Sequence, residues 1–370
     1  MRGSIVSKVG VTVAAASLAM ATWGVPPALA TDGDLDVTFG DAGVVTTVFP
    51  VGSFATAVAT QADGTIVAVG AAAGPSQTGE FALARYDESG ALDPSFGDGG
   101  MVTTPIAGGA GDEARSVAIQ ENGRIVVAGT DSWRRFAVLR YRPTGALDGS
   151  FGGGDGIVRT NFTPGDDVAF DVAIQPDGKL VAVGGAGFGQ LGFEVARYRR
   201  DGSLDPTFGE DGTVLTRYRG ANARTVAIQP NGRIVVAGYN TTGFAMARYR
   251  ADGRLDRSFS GNGTIDHDSG TWNPLRNIFA GAVALQADGR IVVAGGFDIF
   301  SIGLARLWPD GRLDRTFNGD GVMRTHVDGA EQGANGLVIQ PDGRIVATGY
   351  AGPHEGGDPT VFRFVLIRAL

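Results

Sequence analysis

The sequence predicts an all-β fold, a six-bladed β-propeller with four antiparallel strands per blade, and three observations carry this prediction. Three short motifs recur six times in a fixed order. Each repeat holds four strand-like runs and no run of helical period and length. Gly accounts for 60 of the 370 residues, well above the ~7% of ordinary proteins, as many tight turns between short strands require.

The first 30 residues precede the repeats and have the features of a secretory signal peptide. Arg2 and Lys8 give a basic start, residues 9–23 are uncharged and mostly apolar, and a small-x-small cleavage site ends at Ala30. A membrane anchor is the alternative, but the apolar stretch is shorter than the ~20 residues that cross a bilayer. We therefore predict cleavage after Ala30, export by general secretion, and no membrane insertion of the mature chain, residues 31–370.

The mature chain consists of repeats. Three motifs each occur six times in residues 31–370 and nowhere before them. They are Leu-Asp-x-x-Phe, Gln-x-(Asp/Asn)-Gly and an apolar run that ends in Arg. Such units of four strands are typical of a propeller, and an open solenoid is the alternative. Copies of the first motif begin at Leu35, Leu92, Leu147, Leu204, Leu255 and Leu313.

The second repeat shows the four strand-like runs most plainly, at 115–120, 124–129, 136–141 and 156–160. Between the first two runs, Asp or Asn precedes Gly, which predicts a type I turn followed by a left-handed Gly. The last repeat ends after its third run, whereas residues 43–47 form a fourth run without a blade of its own. We predict that this N-terminal strand closes the last blade and so removes exposed sheet edges.

These motifs resemble the bacterial delta-60 repeat, a β-propeller repeat of uncharacterised function. Residues 175–179, Gln-Pro-Asp-Gly-Lys, and 201–209, Asp-Gly-Ser-Leu-Asp-Pro-Thr-Phe-Gly, are close to its pattern, and all six units show it. The resemblance implies a propeller and export, and it supplies no catalytic residues. A looser similarity to NHL-type propellers implies the same strand order.

The Arg that ends each third run lies eight residues before the Asp of Leu-Asp-x-x-Phe, across a chain reversal. Because both recur in every blade, we predict structural ion pairs; a ring of ligand-binding charges is the alternative. The expected pairs are Arg85–Asp93, Arg140–Asp148, Arg197–Asp205, Arg248–Asp256, Arg306–Asp314 and, after ring closure, Arg368–Asp36.

The loops at the two ends of the blades differ. Since strands alternate in direction, the hairpin after the first strand and the Leu-Asp-x-x-Phe loop after the third share one end, the repeated-loop face. The loops after the second and fourth strands share the other end, the variable-loop face, and they differ in length and composition. Function tends to lie on variable loops of a rigid scaffold, so we expect the binding site there.

Unusual side chains collect at this variable-loop face. Aromatic rings beside polar groups suit carbohydrate or peptide binding, and ordinary solvated loops are the alternative. Trp272 is predicted to be an aromatic anchor, or alternatively a core plug between two blades. The loop candidates are Trp133, Arg134, Arg135, His267, Trp272, His326 and His354. The candidates at the entrance of the first strands, where a channel opens, are Thr56, Arg115, Asp171, Arg224 and Asn335.

Composition and missing motifs exclude several classes of function. The absence of Cys excludes disulfides and Cys-ligated metals, and a formal net charge of −8 disfavours nucleic-acid binding. Asp-rich turns at 154–156 and 319–321 could bind Ca²⁺ but lack the spaced acids of dedicated Ca²⁺ loops, so we predict turns and no metal or cofactor. No nucleophile elbow, zinc-protease motif or phosphate loop is present.

We therefore predict a secreted binding scaffold that uses its variable-loop face for an extracellular carbohydrate, peptide or protein ligand. The alternative is a secreted hydrolase or lyase that acts on a polysaccharide at the channel mouth. Two carboxylates, or a His and a carboxylate, that converge in the mouth would favour the enzyme.

Overall fold

The structure is a computed structural model. The predicted signal peptide lies outside its described residues. These are 36–50, 52–73, 79–106, 111–131, 134–163, 166–186, 192–217, 220–241, 243–266, 278–297, 301–326, 332–352 and 363–369.

The described residues form six antiparallel sheets, numbered 1 to 6 in chain order, and strands within each sheet pair in sequence order. Sheets 1 and 2 contain β1 Ser53–Thr60, β2 Ile66–Ala73, β3 Gly79–Tyr86, β4 Met101–Thr104, β5 Glu113–Ile119, β6 Ile125–Thr130, β7 Phe136–Tyr141 and β8 Ile157–Thr160. Sheets 3 and 4 contain β9 Asp167–Ile174, β10 Leu180–Ala186, β11 Gly192–Tyr198, β12 Thr213–Arg217, β13 Asn222–Ile228, β14 Ile234–Asn240, β15 Gly243–Tyr249 and β16 Thr264–Asp266. Sheets 5 and 6 contain β17 Ile278–Leu285, β18 Ile291–Phe297, β19 Ser301–Leu307, β20 Val322–Thr325, β21 Gln332–Ile339, β22 Ile345–Ala351 and β23 Arg363–Ala369.

The first hairpin of each sheet has the predicted turn chemistry. In sheet 2 the Gly123 N–H donates to the Gln120 carbonyl at 2.8 Å, and the Gln120 N–H donates to the Arg124 carbonyl at 2.9 Å. Gly123 has a φ of +76°, in the left-handed region that favours Gly. The prediction of a type I turn followed by a left-handed Gly is therefore confirmed.

The core lies between the sheets rather than on one side of each. Strand β7 is buried along its whole length because both of its faces pack against neighbouring sheets. Between sheets 2 and 3, for example, Phe136 and Val138 pack with Ala182 and Tyr198. The first strands lie side by side from β1 to β21, as in a β-propeller with the first strands innermost.

Five of the predicted Arg–Asp pairs are confirmed, with Nε to Oδ2 distances of 2.7 to 2.9 Å. Arg197 is typical: its guanidinium also lies 4.6 Å from the centroid of the Phe208 ring and donates to the Ala251 carbonyl in the turn of sheet 4. Equivalent bonds to a carbonyl of the following sheet are made by Arg85, Arg140 and Arg248, so four of the five pairs join two sheets. The sixth pair, Arg368 with Asp36, stays a prediction.

The two predicted loop faces are also present. Arg124 in the first hairpin of sheet 2 donates to Asp148 in the loop after the third strand at 2.7 Å, which places both loops at the repeated-loop face. At the opposite end, the Asp167 N–H at the start of β9 donates to the Arg134 carbonyl in a loop after a second strand, at 2.6 Å.

The N-terminal residues 36–49 pack on sheet 1. The Thr47 hydroxyl hydrogen-bonds the Tyr86 hydroxyl at 2.6 Å, and the Gly40 N–H donates to the Ser89 carbonyl at 2.7 Å. In the described part of the chain, sheet 6 has three strands, and residues 43–47 belong to no sheet.

Candidate ligand-binding site

A β-bulge at the same place in each first strand shapes the centre of the molecule. The bulge inserts one extra residue, always five positions before the repeated Gln. Opposite it, each second strand has Gly; a Cβ on Gly129, for example, would lie 2.0 Å from the Glu113 carbonyl oxygen. The Gly that ends the repeated Ile-Val-x-x-Gly run therefore permits the bulge. The bulge residues are Thr56, Arg115, Phe170, Arg224, Gly281 and Asn335.

These six residues line one open cavity at the variable-loop end of the first strands. Its volume is about 570 Å³, within the range of ligand pockets. Because one residue from each sheet reaches it, the cavity is the mouth of the central channel, called the channel mouth below. The remaining lining residues are Tyr239, Phe279, Ala280 and Tyr350.

Aromatic rings and guanidinium groups alternate across the channel mouth. The Arg224 guanidinium carbon lies 3.9 Å from the Phe170 ring centroid, and that of Arg115 lies 5.2 Å from it. Arg224 donates to the Tyr239 hydroxyl at 2.9 Å, and the Tyr239 ring meets Phe279 edge-on at 5.4 Å. Side chains from sheets 2, 3, 4 and 5 thus hold one another in place.

The channel mouth is electropositive. Arg115 pairs with Glu113 at 2.8 Å, whereas Arg224 forms no ion pair among the described residues. Burial lowers the pKa of Arg115, Glu113 opposes this shift, and the like charge of Arg224 adds to it. Burial also raises the pKa of Glu113, against the charge of Arg115. The buried Nε of Arg115 has no hydrogen-bond partner in the described part of the structure.

Four of the five residues predicted at the channel entrance, Thr56, Arg115, Arg224 and Asn335, line this cavity. The prediction for Asp171 is wrong in position, because Phe170 occupies the bulge of β9. Asp171 instead accepts hydrogen bonds from Ser116 of sheet 2 at 2.6 Å and from the Val226 N–H of sheet 4 at 2.8 Å, so it joins three sheets. Burial raises the pKa of Asp171, and these hydrogen bonds oppose the shift.

The loop candidates are not part of this cavity where the structure describes them. Arg134 pairs with Asp166, and Arg135 with Asp131 at 2.6 Å, so both are held by local carboxylates. His326 is exposed after β20. Trp133, His267, Trp272 and His354 lie outside the described residues. Sequence reasoning missed Phe170, Tyr239, Phe279 and Tyr350.

A buried pair of carboxyl groups lies between sheets 2 and 3. Glu194 stands opposite Gly184, where sheets 1, 2 and 4 have Ala, and both Glu194 and Asp167 are fully buried. Burial raises the pKa of Glu194 to about 9, with further contributions from the charge of Asp167 and a hydrogen bond to it. Asp167 accepts hydrogen bonds from the Phe162 and Thr163 N–H groups. Glu194 is therefore protonated at neutral pH.

The Asp-rich turns have the hydrogen bonds of ordinary turns. Asp155 and Asp320 accept hydrogen bonds from the N–H groups of Ile157 and Val322, each at 2.9 Å, as turn residues do. Among the described residues no group of three or more His, Asp or Glu is arranged to hold a metal ion. In the same residues, no helix has the length and apolar character needed to cross a membrane.

The repeats are similar to a known β-propeller domain. Residues 61–96, 120–151, 175–208, 229–259 and 286–317 match the family described as "Domain of unknown function (DUF5122) beta-propeller". No curated protein matches the chain. In sheets 1 to 5 the matched segments run from the first hairpin to the Phe of Leu-Asp-x-x-Phe, so they cover the repeated-loop face; of the residues that line the channel mouth they include Tyr239 alone.

Solved structures support the fold. A protein from Lactobacillus plantarum is 17% identical, with a TM-score of 0.52 over 84% of each chain. A protein of unknown function from Dyadobacter fermentans is 11% identical, with a TM-score of 0.50 over 85% of this chain and 94% of its own. A streptogramin B lyase is 10% identical, with a TM-score of 0.47 over 85% of this chain and 93% of its own. At these identities the likeness concerns the fold alone. The chain is therefore a β-propeller.

Proposed function

We propose that this β-propeller is a carbohydrate-binding protein whose ligand occupies the channel mouth. The proposal rests on the residues that line this one cavity. Each sheet contributes its bulge residue, these residues differ between most sheets, and three further aromatic side chains lie beside them. A side chain that served only packing would recur in every sheet, as the Arg–Asp pairs do. Sugars bind where aromatic faces and polar groups lie side by side, and the channel mouth has both.

The alternative of a polysaccharide hydrolase or lyase has less support. Such chemistry usually needs two carboxyl groups, or a carboxyl group and His, around the scissile bond. Among the described residues, those that line the channel mouth include no carboxylate and no His. Glu113, whose pKa burial raises, lies beside that lining and is paired with Arg115.

The test compares the native protein with Phe170→Ala on an array of immobilised saccharides and peptides. We expect binding to a saccharide, and a loss of at least about tenfold in Phe170→Ala, because both guanidinium groups lose the ring they pack on. Arg254→Ala is the control, since Arg254 is exposed in a turn at the repeated-loop face. Equal binding by native protein and Phe170→Ala, or binding to peptides alone, would contradict the proposal.

We also propose that the ring is closed and six-bladed, with residues 43–47 as the fourth strand of sheet 6. Thr47 and Tyr86 repeat a contact between the fourth strand of one sheet and the third strand of the next. The same Thr–Tyr contact joins Thr104 to Tyr141 at 2.9 Å. It also recurs as Thr160–Tyr198 and Thr216–Tyr249. Residues 43–47 thus bear the relation to sheet 1 that a fourth strand of sheet 6 would have.

Exposed apolar side chains on sheets 1 and 6 favour the same closure. Val58 and Val338 are 64% and 55% exposed. At the equivalent positions of sheet 2, Val117 packs towards sheet 1 and Ala118 towards sheet 3. Docking sheet 6 against sheet 1 would bury Val58 and Val338 against each other and so stabilise the closed ring. From the signal-like residues 1–30, we infer that the protein and its ligand are extracellular.

A further inference from the structure

We propose that the channel mouth recognises a carboxylate-bearing saccharide, such as one built from uronic acids, and that Arg224 and Arg115 bind its carboxylate. This rests on the proposed function, and it adds the charge and the chemical class of the ligand. The protein as a whole is acidic, with a formal net charge of −8. Two guanidinium groups gathered in one cavity of an acidic protein need an explanation beyond solubility, because like charges repel.

The two Arg side chains differ in what they already bind. Arg115 has Glu113 as an ion-pair partner, but its Nε is buried without a hydrogen-bond partner in the described residues. Arg224 has no carboxylate partner there; its contacts are the Phe170 and Tyr239 rings and the Tyr239 hydroxyl. The channel mouth therefore has one uncompensated positive charge, on Arg224, which a bound anion can balance; the unused donor of Arg115 is buried behind it.

The unpaired charge on Arg224 favours a carboxylate over a phosphate monoester. A planar guanidinium offers paired N–H groups that match the two oxygens of a carboxylate. A carboxylate carries a single negative charge, which balances the single unpaired guanidinium. A phosphate monoester carries about −1.5 to −2 at pH 7 and would leave excess negative charge in a cavity beside Glu113.

The rest of the lining suits a sugar ring that carries this carboxylate. Phe279 and Tyr350 are 47% and 37% exposed, so their rings offer surface on which the C–H face of a sugar can stack. Asn335 of sheet 6 and Thr56 of sheet 1 add polar groups to the lining. Gly281 adds no side chain, because a Cβ there would lie 2.1 Å from the Ala334 carbonyl oxygen; sheets 5 and 6 are therefore close at this point.

The test is calorimetric titration of the native protein with trigalacturonate, its methyl ester and galactose 6-sulfate. The ester keeps the sugar skeleton and removes the charge. We expect trigalacturonate to bind about 10- to 100-fold more tightly than its ester, as for a charge-assisted hydrogen bond lost on burial. Its affinity should fall as salt rises. Galactose 6-sulfate should bind more weakly than trigalacturonate, since it offers the aromatic side chains of the channel mouth one sugar ring rather than three.

Variants then locate the carboxylate. In Arg224→Gln the acid should bind about as weakly as the ester, and Arg115→Gln should lose part of the discrimination. Arg254→Gln, at the repeated-loop face, should keep it. Thermal unfolding of each variant shows whether it is folded, so that a loss of binding is not mistaken for a loss of structure. If folded Arg224→Gln still binds the acid more tightly than the ester, the proposal is wrong.

The outcomes separate this proposal from the proposed function. Equal affinity for acid and ester, with both lost in Phe170→Ala, would leave a saccharide site in the channel mouth and refute the carboxylate. Tighter binding of the sulfated sugar would assign the anion to a sulfate ester and overturn the carboxylate. Equal binding of poly-glutamate and trigalacturonate would show attraction to any polyanion and would also overturn the inference.

Discussion

The repeated-loop face and the channel mouth use the same side chain, Arg, in opposite ways. Arg197 is buried at the repeated-loop face, where Asp205, Thr207 and a carbonyl of the next sheet accept its hydrogen bonds. Arg224 lies in the channel mouth on aromatic rings and lacks a carboxylate partner among the described residues. The first arrangement recurs sheet after sheet, and the second occurs at one position of six. A side chain that recurs at the same position of every sheet therefore indicates a packing role, whereas equivalent positions with different side chains indicate the candidate site.

The pKa values of the repeated Asp residues agree with a packing role. For Asp205 burial acts to raise the pKa, but hydrogen bonds from Thr207 and Lys179 and the charge of Arg197 lower it to about 2. The pKa of Asp256 is lowered to about 2 by the same kinds of contact. A folded-state pKa below the unfolded value stabilises the fold above about pH 4. This contribution is lost as the pH falls towards 2.

The largest expected effect is on the free energy of unfolding, when Arg197 and Arg224 are each replaced by Ala. Arg197→Ala should lower the free energy of unfolding by about 3–5 kcal/mol, because it leaves Asp205 buried without its main partner. Arg224→Ala should lower it by less than about 1 kcal/mol, since the channel mouth is open to water. Urea denaturation of the two variants at pH 7 measures both values. Equal losses would contradict the division into packing and binding residues.

A smaller change, this time an increase in the free energy of unfolding, is expected when Glu194 of the buried acid pair is replaced. The pKa of Glu194 is about 9 when folded, above its unfolded value, so the folded state binds the extra proton between about pH 4.5 and 9. Stability is therefore lost as the pH rises through this window. Glu194→Gln removes this penalty and should be more stable than the native protein by roughly 3 kcal/mol at pH 7, with little difference at pH 4.5.

Urea denaturation of the native protein and Glu194→Gln from pH 4.5 to 8.5 tests this expectation. Glu121→Gln is a suitable control, because Glu121 is exposed in a hairpin. Parallel stability curves for the native protein and Glu194→Gln would show that Glu194 titrates normally, which would contradict the raised pKa.

The smallest effect concerns ring closure. Thr104→Val removes the hydrogen bond to Tyr141 and should cost about 1 kcal/mol of unfolding free energy. Thr47→Val should cost a similar amount if residues 43–47 join sheet 6 to sheet 1 as the fourth strands join the other sheets. A loss in Thr104→Val without any loss in Thr47→Val would refute the closed ring.

Most of the fold could be predicted because each of its determinants is local and occurs several times. The Asp-Gly turns, the strand-like runs and the eight-residue spacing from Arg85 to Asp93 each appear in the sequence as well as in the structure. The candidate site was predicted only in part. Counting five residues back from Gln175 leads to Phe170, so the repeat itself held the signal that would have corrected Asp171.

No comparable signal exists for the aromatic residues of the channel mouth. Tyr239 and Phe279 come from different sheets, and they meet only because the sheets are arranged around a channel. Sequence spacing also cannot show that the Arg115 Nε has no hydrogen-bond partner among the described residues, or that Glu194 is buried beside Asp167. Such facts depend on which side chains burial brings together from distant parts of the chain.

The sequence by itself determined the repeat, the turns, the two loop faces and the Arg–Asp pairs, because each follows from contacts within one repeat or between adjacent repeats. Only the tertiary structure decided which aromatic side chains join the four predicted residues in the channel mouth, and which charges there are paired. There the equivalent bulge residues of the six sheets line one cavity, and side chains of sheets 2 to 5 contact one another between sheets rather than along the chain. The physical reason is that local hydrogen bonding and backbone conformation are encoded in short motifs, whereas the electrostatics of a shared cavity arise only when all the sheets are assembled.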